Sequence, residues 1–304
     1  MANIRNELEY INHMAKTDPA GLVAAAESRY HNIVAGIAQQ VLQHPGHKLV
    51  LLAGPSASGK TTTAQKIAEA LQQSGAQAYR VSLDDFYFER EKLPLLPCGT
   101  PDIESVHALD LPLLRETLRG LMESGRADIP HFSFSEGRRM RFDPLALGDD
   151  DMIVLEGLHA LNPEITRICP QCTKVYVNVS SRIYDEKRNI VLNKRALRLA
   201  RRILRDSQFR GSSAEETLAM WRAVTDGEDR YLAPCKPFAD VLVNAIHLYE
   251  PCVFAARLLP LLEGVMDEQG RRLARALRRF ERLPEIQVPA DSLLREFLGL
   301  TGQG

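Results

Sequence analysis

The chain has 304 residues, 45% of them hydrophobic and 25% charged, which is enough apolar material for a full core and too much for a disordered chain. Its 38 basic and 39 acidic residues leave a net charge of −1, so no global field draws it to nucleic acid or to an anionic membrane. No apolar run approaches the ~18 to 20 residues that span a bilayer, charged Arg5, Glu7 and Glu9 argue against a secretory leader, and five cysteines do not make a disulfide framework, so a reducing, cytoplasmic setting is expected.

The first 47 residues read as a helical extension. Tyr30, Ile33, Val34, Ile37, Val41 and Leu42 recur at helical spacing, and His44-Pro45-Gly46 stops the run. Lys48–Ala53 is nearly all apolar, as a parallel strand buried on both faces must be. A glycine turn follows, then a helix from Lys60 to Ser74. Ala78–Leu83 reads as a second strand, placed beside the first. Leu111–Ser124 reads as a helix and Arg138–Leu147 as part of a hairpin. Met152–Leu155, Lys174–Val179 and Asp240–Val243 are further strands. Between the last two, residues 184–230 are charged and mostly helical. From Pro251 the chain is helical to its amphipathic segment Ser292–Leu298. Strands alternating with helices give an α/β fold with a doubly wound, mostly parallel sheet. Its core is expected over 48–250, with helical extensions at 1–47 and 251–304 packed on it.

Gly54-Pro-Ser-Ala-Ser-Gly-Lys60-Thr61 fits G-x-x-x-x-G-K-[ST], follows a strand and opens a helix. This is a phosphate cradle, in which backbone N–H groups turn inward and the helix N-terminus adds positive potential. Gly54, Ser56, Ala57, Ser58, Gly59, Lys60, Thr61 and Thr62 are therefore the expected ATP-binding residues. Lys60 should reach the β- and γ-phosphates, and the Thr61 hydroxyl should ligate Mg²⁺. The guanine reader N-K-x-D is missing, since Asn193-Lys194-Arg195-Ala196 lacks the acid.

Ligands of open α/β sheets sit at the carboxyl ends of the strands. Asp84 follows the second strand and is the expected base for an acceptor hydroxyl, with Asp85 a turn cap. Glu156 ends the strand Met152–Leu155 and is the second expected metal residue. Lys194, Arg195, Arg198, Arg201, Arg202, Arg205 and Arg210 crowd into 17 positions. Such a run can be a solvated face, a nucleic-acid patch or a lid over ATP. The near-neutral total and the absence of interleaved aromatics count against nucleic acid. One Cys169-x-x-Cys172 pair cannot complete a four-ligand zinc site.

Together, GPSASGKTT at 54–62, SLDDFY at 82–87, LEGLHALNP at 155–163 and RRILRDSQFRG at 201–211 resemble the uridine kinase-like branch of P-loop kinases, related to phosphoribulokinase and pantothenate kinase. The resemblance runs on through AEETLAMWRAV at 214–224 to DSLLREFLG at 291–299, and looks like a bacterial nucleoside kinase subgroup. It implies Asp84 as base, Lys60 on the phosphates, Thr61 and Glu156 at Mg²⁺, and Arg205 and Arg210 as phosphate clamps of an arginine-rich lid near 184–230. It implies Tyr87 lining the acceptor pocket, Glu104, with Asp102 two residues away as the alternative, on the ribose hydroxyls, and Arg202 near the sugar or the phosphates. The segment Pro130–Arg139, with Phe132 and Arg139, would face the base. In uridine-cytidine kinases a Tyr and a His serve there, and this chain has Phe132 and Gly137 in their places, leaving stacking on Phe132. The expected partner is a small nucleoside-like molecule, and self-association is left open. Other hydroxyl acceptors, such as a sugar phosphate or pantothenate, and a nucleotide-binding regulator or RNA-associated ATPase are the alternatives.

Overall fold

A computed structural model describes residues 6–44, 46–97 and 99–299. Pro45 of the expected helix stop and the ends of both extensions lie outside them. Two helices open the chain, α1 (Leu8–Thr17) and α2 (Pro19–Leu42). Asp18 separates them, accepting from the Gly21 N–H. The core then alternates: β1 (Leu49–Ala53), α3 (Lys60–Gln73), β2 (Ala78–Ser82), α4 (Leu111–Ser124), the hairpin β3 (Arg126–Ser133) and β4 (Arg138–Ala146), β5 (Met152–Glu156), the short α5 (Pro163–Thr166) and β6 (Cys172–Asn178). A small ribbon, β7 (Ile183–Tyr184) and β8 (Ile190–Leu192), leads into α6 (Lys194–Phe209) and α7 (Ala214–Gly227). β9 (Val241–Asn244), α8 (Glu250–Leu261), α9 (Glu268–Leu277) and α10 (Arg295–Leu298) complete the order.

Five strands form one parallel sheet in the order β2-β5-β1-β6-β9. The expectation that β2 lies beside β1 is therefore corrected. β5 stands between them, and β2 is an edge strand, only half-buried in Tyr79 and Ser82 and exposed at Arg80. The apolar character of Ala78–Leu83 did not distinguish an edge from a centre, whereas the fully buried β1 and β5 are the hydrophobic runs that a centre requires. Of the expected helix Ser292–Leu298, only Arg295–Leu298 is helical.

Side chains alternate across the sheet. Val50, Leu52, Val175 and Val177 face one side, where Ile11, Tyr30 and Ile37 of the first helices meet Phe254, Leu277, Leu293 and Phe297 of the last. Leu49, Leu51, Ile153 and Leu155 face the other, against Leu114, Leu118 and Leu121 of α4. Both extensions thus share a core with β1, the strand that feeds the phosphate loop. Among the described residues no helix is long and apolar enough to cross a membrane.

Candidate active site

The loop between β1 and α3 turns through two left-handed residues, Ala57 at φ 56° and Gly59 at φ 89°. Gly59 is the N-cap of α3 and supplies no side-chain bond, so the first N–H groups of the helix face the crevice unfilled. Ser58 is fully buried, and its Oγ has no hydrogen-bond partner among the described residues. The Ser56 N–H donates to Glu228 Oε1 at 2.8 Å. Lys60 Nζ reaches the Pro55 carbonyl at 3.4 Å. An uncapped helix start beside a lysine and an unpaired hydroxyl is a site for an anion.

The residues expected at the metal meet. Thr61 Oγ1 donates to Glu156 Oε1 at 3.3 Å. Because Ser82 is in register with Glu156, Ser82 Oγ also donates to that oxygen, at 3.2 Å, as does Arg80 at 3.2 Å. Burial raises the Glu156 carboxyl, with Lys60 and Arg80 opposing and Asp84 adding to the rise. A hydroxyl and a carboxylate fit Mg²⁺, which takes few protein oxygens and completes its shell with water and phosphate.

Asp84 sits in a 3₁₀ turn, Leu83–Phe86, that continues β2. Gly157 makes room for it, since a Cβ there would lie 2.6 Å from Leu83 Cβ. The turn therefore closes onto the end of β5, and this offsets the strand between β2 and β1. Asp84 stays open to solvent at the crevice mouth. Crowding by surrounding protein raises its carboxyl, Lys60, Arg205 and Arg210 pull it down, and Asp85 pushes it up. Asp85 is not a local cap. Its carboxylate accepts from the Phe132 N–H at 3.1 Å and so ties the hairpin to the turn, a job that sequence spacing could not reveal.

Tyr87, Phe132 and Phe134 form an aromatic cluster, with ring centroids 5.1 to 6.2 Å apart. Tyr87 Oη donates to the Ile103 carbonyl at 3.1 Å, which holds the segment carrying Glu104. Burial raises the Glu104 carboxyl to about 7, with Glu228 and Asp84 adding to the rise and Arg202 and Lys60 opposing it. Arg139 is set in the frame: its Nη2 pairs with Asp110 Oδ2 at 2.6 Å and donates to the Tyr87 carbonyl. Gly137 turns the hairpin at φ 66°.

Helix α6 lies over the phosphate loop, and its arginines are not a solvated face. Arg198 pairs with Glu228 at 2.5 Å, both buried. Arg201 and Glu250 are fully enclosed and meet at 2.6 Å, and Arg201 also donates to the Ser58 and Ala245 carbonyls. Removing one partner of such a pair strands a buried charge, at about 3 to 5 kcal/mol. The helix is anchored by these two pairs. From that anchor Arg202 Nη1 donates to Ser56 Oγ at 2.8 Å, and Arg205 Nη2 lies 3.4 Å from the same oxygen. Arg202, Arg205 and Arg210 all pair with the one buried carboxylate of Asp206. Arg210 ends the helix, with Gly211 in a left-handed turn.

Sequence reading missed Asp206, Glu228 and Glu250. Asp206 had a signal, lying four residues from both Arg202 and Arg210. Glu228 had none, as it sits in a π-helical turn, Glu228–Leu232, that no periodicity marks.

Residues 49–249 match the sequence model of the phosphoribulokinase/uridine kinase family. The chain is similar to a uridine kinase of Lactobacillus johnsonii, 30% identical over 196 residues that span 64% of this chain and 85% of that one. It is also similar to uridine-cytidine kinase B of Dictyostelium discoideum, 28% identical over 202 residues, 66% of this chain and 76% of that one. Its fold matches a solved structure from Silicibacter sp., described provisionally as a fructose transport system kinase, with a TM-score of 0.50 at 20% identity, covering 69% of this chain and 98% of that one.

Proposed function

The chain belongs to the phosphoribulokinase/uridine kinase family, and on that premise we propose that this ATP-dependent kinase phosphorylates the 5′-hydroxyl of a nucleoside of the uridine or cytidine kind. One observation carries the reading: the turn that holds Asp84 closes onto the end of β5, where Glu156 accepts from Thr61 of the phosphate loop and from Ser82 of β2. A carboxylate beside that group, its charged form favoured by Lys60, Arg205 and Arg210 against the effect of burial, suits a base that takes a proton while a phosphoryl group is transferred.

In this reading the loop 54–62 holds the ATP phosphates, and Thr61 and Glu156 are the residues that would hold Mg²⁺, which would supply positive charge for the phosphate oxygens. Asp84 accepts the hydroxyl proton. Arg205 and Arg210 clamp phosphate oxygens, and Arg202, bonded to Ser56, spans from the loop towards Glu104 and the sugar. Tyr87 and Phe132 offer ring faces for the base, and Arg139 holds Tyr87 through its carbonyl. The reading takes the enzyme as cytoplasmic, with a small molecule as its partner. The enclosure of Arg198, Arg201 and Arg202 favours it over a nucleic-acid face. ADP release is measured with ATP, Mg²⁺ and a panel of nucleosides, sugar phosphates and pantothenate. Release dependent on uridine or cytidine supports the reading, and release only with a non-nucleoside acceptor overturns it.

A further inference from the structure

A nucleotide donor has a nucleoside as well as phosphates, and the loop 54–62 offers only the phosphates a partner. With Lys60 and Thr61 directed at the β/γ end, the α-phosphate comes to the first turn of α3. The nucleoside then lies beyond Thr62. The segment that stands there, Ser292–Gly299, belongs to the C-terminal extension and lies outside the family-matched span 49–249.

Five contacts seat it. Thr62 Oγ1 donates to Glu296 Oε2 at 2.6 Å. Leu293 covers Gly59 so closely that a Cβ on that glycine would lie 2.5 Å from Leu293 Cδ1. The Phe297 ring lies 5.1 Å from the Arg201 guanidinium, the group that bonds the Ser58 carbonyl. Gly299 presses on Gln208 near the end of α6, while Arg257 holds the Leu298 carbonyl at 2.7 Å. The root is fixed too. Ser292 Oγ donates to Glu27 at 2.6 Å, inside a buried group with Tyr249 and His247. Burial alone would push the Glu27 carboxyl up, yet bonds from His247, Ser292 and Tyr249 hold it down at about 2. Glu296 itself is half-buried, so a ligand can reach it.

We propose that Ser292–Gly299 forms a wall for the nucleoside half of the phosphate donor, with the Glu296 carboxylate accepting a ribose hydroxyl. A carboxylate repels phosphate but is a strong acceptor for a neutral hydroxyl, so its place just past the α-phosphate suits the sugar. The strap is thus a specificity element for the donor. This rests on the reading of residues 54–62 as the phosphate cradle.

The test compares ADP with inorganic pyrophosphate, which has the same phosphates and no nucleoside, by titration calorimetry in Mg²⁺. Glu296→Ala should weaken ADP about tenfold, as loss of a hydrogen bond to a charged group does, and leave pyrophosphate within about twofold. Glu296→Gln keeps the length and an acceptor for Thr62, and should weaken ADP about threefold. Equal loss for both ligands would make the strap a mere brace of the loop, and unchanged ADP affinity would remove Glu296 from the site; either result overturns the proposal. Lys60→Ala should weaken both ligands. If it weakened neither, the cradle reading itself would fail, separately from the strap.

Discussion

The two sides of the crevice are held by different forces. On the phosphate-loop side most charges are enclosed: Arg198 with Glu228, Arg201 with Glu250, and the Asp206 carboxylate with Arg202 and Arg205, Arg210 joining it from the exposed end of the helix. On the hairpin side the surface is open, with Phe134 and Phe142 58% and 47% exposed. There the groups that face the crevice are rings and carboxylates, and single bonds such as Asp85 to the Phe132 N–H fix the frame. Enclosed ion pairs hold one geometry, because any departure strands a charge. An open aromatic and acidic surface tolerates change in what it binds. On the proposed function, the contrast would put precision on the donor half and adaptability on the acceptor half.

If the halves act separately, Asp84→Asn should give the largest and most selective loss. Acceptor phosphorylation should fall by about 10² to 10⁴-fold, the worth of a positioned base. ATP affinity, melting temperature and acceptor-independent ATP hydrolysis, measured on the same preparation, should hold. A parallel loss of hydrolysis would break the division. Lys60→Ala should come next, lowering kcat about 10² to 10³-fold by the same factor for every acceptor that is turned over. A factor that varied from acceptor to acceptor would place Lys60 on both sides.

Arg210→Ala sharpens the donor side. Arg210 is 54% exposed and pairs with Asp206, so its loss should cost little stability and lower kcat about tenfold, with acceptor KM unchanged, as a clamp made in the transition state requires. Steady-state kinetics at saturating ATP check this. On the acceptor side the expected effect is on stability and not on turnover. Glu104 titrates at about 7 against an ordinary 4.5, so its folded form favours the proton. That stability is full below pH 4.5 and is lost as pH rises through 7. Glu104→Gln should therefore melt higher than the parent at pH 8, by up to about 3 kcal/mol at ~1.4 kcal/mol per unit, and no higher at pH 4. Thermal melts across that range decide it.

Much of this was legible in the residues, unevenly. The glycine loop, the apolar runs of β1 and β5 and the acids at strand ends declare themselves, because burial on both faces and phosphate binding each demand a narrow set of residue types. Strand order did not follow. Ala78–Ser82 carries no mark that β5 will intervene. The arginines were visible as a cluster, but not their enclosure, since their partners Glu228 and Glu250 lie far along the chain. Asp85 shows the same limit: its neighbour in sequence is a base candidate, and its partner is 47 positions away.

The seat of Leu293 on Gly59 and the bond of Thr62 to Glu296 join points 234 positions apart in the latter case. A ribosome adds ~5 to 20 residues per second, so the loop exists for many seconds before residues 292–299 leave the exit tunnel. Until then Gly59 lacks its cover and Ser292 is not there to bond Glu27, while the helix start already has bonds from Tyr30 to Thr63 at 2.8 Å and from Thr61 to Glu156 at 3.3 Å. The nascent chain therefore carries its glycine loop long before the segment that covers it, and on the strap proposal completion of the nucleotide site is timed by translation.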